Sequence, residues 1–150
     1  MAINKTTLFS SSLMIIGATM ILLGARWMLV DEPWMLDEAA NVERLEMEFD
    51  ELFKPEINKT LPSYLKQIYR FFGFWVIIIG LFITSFSTPG LIHNKSIRSR
   101  LLLCVGVMIL IGIILGYSLI PSSPFIYLIW LMVFIYGLAL YVHVRMKDDK

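Results

Sequence analysis

Apolar residues fall along this chain in four long runs, Leu8 to Val30, Tyr69 to Phe86, Leu101 to Ile120 and Phe125 to Val144, divided by shorter polar stretches. The hydrocarbon core of a bilayer asks for about 20 helical residues at a rise of about 1.5 Å each, and every run is close to that length. The strict alternation of a membrane β-barrel is absent, which leaves helices as the structure that satisfies its own backbone in lipid. The pattern predicts an all-α membrane protein, a single integral domain over residues 1–150 built as a four-transmembrane-helix bundle. The first run follows Lys5 and has the look of a signal peptide. It continues to Arg26 and Trp27 without a small-x-small cleavage site, however, and is therefore expected to stay as a helix.

Between the first two runs, over residues 31–68, the period changes. Val42, Leu45, Phe49 and Leu52 recur at three- and four-residue spacing, with Glu43, Glu46, Glu48, Asp50 and Glu51 on other faces. This predicts an amphipathic helix over 37–53, with Asp37 as N-cap and Lys54-Pro55 as the stop. An acidic polar face does not suit anionic lipid, so packing on the end of the bundle or on a partner explains it better. Just upstream, Trp27-Met28-Leu29 returns as Trp34-Met35-Leu36. Pro33 breaks the chain between the copies, so Trp27 is expected to mark the membrane boundary and Trp34 to touch the interface again. Pro62 suits a helix that starts before the second span and runs into it.

Within the runs, small residues form stripes. Ser10, Gly17 and Gly24 share one side of the first span, and Ser12, Thr19 and Arg26 another. Lys66, Arg70, Gly73, Ile77, Gly80 and Thr84 share a stripe on the second, and Gly106, Gly112 and Gly116 lie on the third. Small residues let helix backbones approach in lipid, where hydrophobic burial gives no drive. Ser12 and Thr19 are expected to bond back to the preceding turn.

Composition agrees with this picture: 57% of residues are hydrophobic and the mean hydropathy is +0.72. A net charge of +1 gives no basic field for nucleic acid. The charges are segregated. Lys5, the connection bearing Lys95, Arg98 and Arg100, and the tail bearing Arg145, Lys147 and Lys150 all fall on one side. The positive-inside rule places both termini in the cytoplasm, and the 31–68 loop and the Pro121 to Pro124 turn outside. Asn58-Lys59-Thr60 is then a glycosylation sequon on the outer side. The lone Cys104, in an apolar run, is expected to be a buried, inert thiol.

Candidate chemistry is sparse. Arg26 and Arg70 lie near the outer boundary and could hold an anionic headgroup or ligand, against a simpler account by snorkelling and pairing with loop carboxylates. Asp31, Glu32, Asp37 and Glu38 lack the spacing of a calcium loop, and Met28, Met35 and Met47 more naturally fill apolar space than bind copper. His93 and His143 are read as surface or headgroup residues. No ionisable residue sits mid-span, and no nucleophile-base pair, zinc motif or phosphate loop is recognisable, so no catalytic residue, metal or cofactor is assigned. On the fourth span Trp130 and Phe134, one turn apart, are expected to face lipid, with a pigment or another subunit as the alternatives.

Tyr69-Arg70-Phe71-Phe72-Gly73-Phe74-Trp75, followed by Gly80-Leu81, resembles small DoxX-like four-helix bacterial membrane proteins over about one span, together with the helix count and the long first outer loop. The resemblance implies the fold and carries no activity or site residue. The function expected is that of a non-catalytic accessory or assembly subunit of a larger membrane protein complex. Trp34, Glu43, Glu46, Asp50, Trp130 and Phe134 are its candidate partner contacts, and its partners are lipid and other membrane subunits. The alternative is a lipid- or small-ligand-binding bundle, with or without enzymatic activity, using Arg26 and Arg70.

Overall fold

A computed structural model describes residues 4–146. Four helices, each long and apolar enough to cross a membrane, make an all-α bundle. They are α1 (Lys5–Leu29), α4 (Leu61–Phe86), α6 (Lys95–Leu119) and α7 (Phe125–Arg145). Between α1 and α4 lie a 3-10 turn (Pro33–Asp37), two short helices, α2 (Glu38–Leu45) and α3 (Phe49–Phe53), and a second 3-10 turn (Glu56–Asn58). One turn, α5 (Pro89–Ile92), joins α4 to α6.

The long helices begin and end where local chemistry dictates. Asn4 caps α1 by accepting from the Thr6 amide at 3.0 Å, and Asn94 caps α6 by accepting from Ser96 at 2.9 Å. Pro62 sits in the first turn of α4, as the sequence predicts. α1 stops at Val30, in extended conformation, ahead of Asp31 to Pro33. Both α4 and α6 start well before their apolar runs, at Leu61 rather than Tyr69 and at Lys95 rather than Leu101. Lys and Arg are good helix formers, so polar flanks extend a span beyond the hydrocarbon that hydropathy detects.

The acidic segment departs from expectation. A continuous helix over 37–53 is replaced by α2 and α3, with Glu46 between them in the left-handed region at φ 52°. A straight helix would place Glu46 above Asp50 and stack like charges at i and i+4. It would also set Leu45 beside Phe49. The break leaves Leu45 exposed and turns Phe49 and Phe53 onto Trp34, with ring centroids 6.2 and 5.5 Å away. Asp37 precedes α2, but its side chain makes no capping bond.

The bundle order follows from helix contacts: α4 packs on α1, α1 on α7 and α7 on α6, while α6 and α4 scarcely touch. Phe9, Leu13 and Ile16 of α1 form a fully buried core with Ile92, Val105 and Ala139. Lys5 Nζ donates to the Arg145 carbonyl at 2.8 Å, and Ser122 hydroxyl meets the Glu43 carboxylate. The bundle thus has one end carrying both described termini and an opposite end carrying the acidic cap.

Candidate functional site: a glycine seam, an acidic cap and an apolar cleft

α1 and α4 approach each other backbone to backbone at two glycine pairs. A methyl group built on Gly80 would stand 2.6 Å from the Gly17 carbonyl oxygen, and one on Gly73 would stand 2.6 Å from that of Gly24. The reverse substitutions collide in the same way. One seven-residue step beyond each pair, the register continues. Ser10 donates to the Ser87 carbonyl at 2.5 Å, and at the cap end Lys66 Nζ donates to Asp31 at 2.9 Å. Four rungs, 10 with 87, 17 with 80, 24 with 73 and 31 with 66, therefore share one antiparallel heptad register. The stripe Ser10, Gly17, Gly24 and its counterpart on the second span are partners of one another. Gly73 and Gly80, the glycines in the DoxX-like resemblance, thus have a full packing account.

Other small residues do less. Ser12 and Thr19 bond back to Leu8 and Ile15 at 2.8 Å, as expected. Gly106 faces the Tyr136 hydroxyl, and Gly116 the Ile126 and Ile129 side chains, so these two seat α7 on α6. Gly112, for all its spacing from Gly116, faces open space.

The cap is ordered around Trp34, which is 4% exposed. Its expected role as an interface anchor or partner contact is corrected: the indole is the core of the cap. Asn41 donates to the Trp34 carbonyl at 2.8 Å and to the Tyr69 hydroxyl at 3.1 Å, tying the cap to α4. Asp37 is buried beside this knot, with one carboxylate oxygen lacking a hydrogen-bond partner among the described residues. Asn58, the sequon residue, directs its amide to the Leu52 carbonyl at 2.7 Å. Ten of the chain's twelve acidic residues lie between Asp31 and Glu56, against two basic ones, Arg44 and Lys54. Glu43, Glu46, Glu48, Asp50 and Glu51 are all exposed. The two ion pairs formed among the described residues are Lys59 with Glu56 and Lys66 with Asp31. The Lys66 ammonium, with a smaller contribution from Arg70, holds the Asp31 carboxyl below its ordinary value.

Arg26 and Arg70 are exposed at the cap end of the seam. The Gly24–Gly73 rung closes the helices together at their level, so no ligand space separates α1 from α4 there. Trp130 and Phe134 are exposed on α7, and Trp130 Nε1 donates to the Tyr117 hydroxyl at 3.0 Å. Among the described residues, no three His, Cys, Asp or Glu converge as metal ligands.

Three features escaped sequence reasoning. Arg98, read as a basic flank, is 2% exposed and donates through Nη1 to the Ile92 and His93 carbonyls, both at 2.8 Å. It terminates α5. His143, read as a surface residue, is half-buried, with Arg98 Nε 3.4 Å from its Nδ1. Cys104 is exposed, not buried, because α4, the helix on that side of α6, stands off from it. It lines an apolar cleft of about 520 Å³ between α4 and α6, walled by Ile79, Phe82 and Phe86 on one side and by Leu101, Cys104 and Met108 on the other. Arg100 stands at its basic end. A second, wholly apolar space of about 230 Å³ lies nearer the cap, bounded by Trp27, Phe72, Ile109, Gly112 and Met132, and Met108 borders both. No chain feature announces the cleft, because it arises from which faces the glycines claim.

Comparison of the chain with protein-family models, curated proteins and solved structures finds no match.

Proposed function

We propose that this chain is a non-catalytic accessory or assembly subunit of a larger membrane protein complex, docking through its acidic cap. The observation that carries the reading is the cap itself. Its carboxylates at Glu46, Glu48, Asp50 and Glu51 are exposed on a segment that an aromatic core and the Asn41–Tyr69 bond hold in place. A fixed array of one sign raises the encounter rate with a basic surface and selects its orientation. The Ser10 hydroxyl is engaged across the seam with the Ser87 carbonyl, and the Thr84 and Ser87 hydroxyls bond back to the Gly80 and Ile83 carbonyls of α4. The exposed pair Trp130 and Phe134 supplies a second, membrane-level contact in this reading. On the positive-inside rule, the end with Lys5, Lys95 and Arg100 faces the cytoplasm and the cap faces outward.

Native mass spectrometry of the protein extracted in mild detergent tests the reading. A stoichiometric partner is expected, lost in the triple variant Glu46→Lys, Asp50→Lys, Glu51→Lys and retained in Lys59→Gln. A lone chain under every mild condition, or a partner indifferent to the triple charge reversal, overturns it.

A further inference from the structure

The cleft between α4 and α6 has a physical cause. All of the close-approach surface of α4 is turned toward α1, through Gly73 and Gly80, and that of α6 toward α7, through Gly106 and Gly116. What α4 and α6 present to each other is bulky: Ile79, Phe82 and Phe86 against Leu101 and Met108. Each helix is therefore held by its other neighbour at a distance the large side chains do not bridge. The result is a lateral apolar slot opening to the surroundings of the bundle, and beyond Met108, which borders both, lies a second apolar chamber where Gly112 leaves space unfilled.

The slot has direction. Its cap-ward part is lined by apolar atoms, whereas at the other end Arg100 is exposed and, among the described residues, without an ion-pair or hydrogen-bond partner. Arg100, Cys104 and Met108 follow one another at four-residue spacing on the same face of α6, so the guanidinium lies directly in line with the slot. From Arg100 to Gly112 the helix rises about 18 Å, the reach of a long acyl chain rather than of a compact ligand. An extended apolar tail with an anion at one end matches this arrangement in shape and charge.

We propose that the α4–α6 cleft is a binding site for one anionic phospholipid, whose phosphate pairs with Arg100 and whose acyl chain lies along Cys104 and Met108 into the chamber beside Gly112. Arginine is suited to the phosphate because its planar fork donates two parallel bonds, and the pair is stronger at the edge of the hydrocarbon than in open water. The occupant also fills the slot that the glycine faces leave, replacing contacts that α4 and α6 do not make with each other.

The full-length protein in mild detergent, titrated separately with phosphatidylglycerol and phosphatidylcholine and observed by native mass spectrometry, tests the proposal. One phosphatidylglycerol per bundle is expected, retained about tenfold more strongly than phosphatidylcholine, a ratio that corresponds to one charge-assisted contact. Arg100→Gln should remove that preference, while Arg26→Gln and Arg70→Gln keep it. Bound phosphatidylglycerol should also slow alkylation of Cys104 by a pyrene maleimide, and Cys104→Trp, filling the slot at an exposed position, should lower retention of both lipids. Equal retention of the two lipids, loss of preference in Arg26→Gln or Arg70→Gln instead of Arg100→Gln, or Cys104 alkylation unchanged by lipid overturns the proposal.

Discussion

At the scale of single residues, the charged side chains divide into those that tie the molecule together and those left facing outward. Asp31 belongs to the first group. Its carboxyl is held below the ordinary value by Lys66, so the bond's contribution is complete at neutral pH and is lost as pH falls through the lowered value. Asp31→Asn should therefore weaken the cap end of the seam near pH 7. The difference from the parent protein in thermal unfolding should shrink below about pH 4, where carboxylates begin to take up protons. A carboxyl-carbon NMR titration of Asp31 should move back toward the ordinary range in Lys66→Gln. Arg98 shows the limits of reading charge from sequence. Positive-inside logic counts it as a basic residue in a short connection, yet nothing in its neighbours reveals that the Ile92 and His93 carbonyls at the end of α5 turn inward to receive it.

At the scale of elements, the four spans were legible because their apolar runs are long, and Pro62 marked the start of α4. The acidic helix was legible only in part. Periodicity at Val42, Leu45, Phe49 and Leu52 is real, but tertiary contact with Trp34 and like-charge spacing favour a break at Glu46. Stripes of small residues were visible too, although a stripe does not say which other helix it meets. The structure separates them: Gly80→Ala would push a methyl group to 2.6 Å from the Gly17 carbonyl, whereas at Gly112 nothing lies within 4 Å. The first substitution should destabilise the bundle by about 1–3 kcal/mol, as overpacking does. Gly112→Ala should be neutral or stabilise by up to about 1 kcal/mol, the helix-propensity difference. Reversible unfolding in mixed micelles would measure both, and equal effects would refute the assignment of the seam.

For the whole molecule, the division is between a bundle built on backbone approach and a cap built on aromatic burial. Trp34, Phe49 and Phe53 supply the cap with a core of its own, joined to α4 through Asn41 and Tyr69. Trp34→Ala should cost the cap about 3–5 kcal/mol, the usual penalty for truncating a buried aromatic. Limited proteolysis should then cut near Glu46 to Glu48 while the helical content of the spans is kept. Simultaneous loss of the spans would show that cap and bundle fold as one unit. The cleft was the least legible feature at this scale, since it is defined by helices that do not meet.

The heptad register between α1 and α4 also bears on how the chain is made. Synthesis delivers α1 first, and residues 30–60 separate it from its partner. Helices can lodge individually in a bilayer and associate afterwards, and α1, apolar over most of its length, suits such a wait. Once α4 has followed, all four rungs lie within residues 10–87, so the first half of the protein can close on itself while α6 and α7 are still being translated. The later pair then meets a template whose close-packing face on α4 is already taken by α1, which leaves α6 the bulky side at Ile79, Phe82 and Phe86.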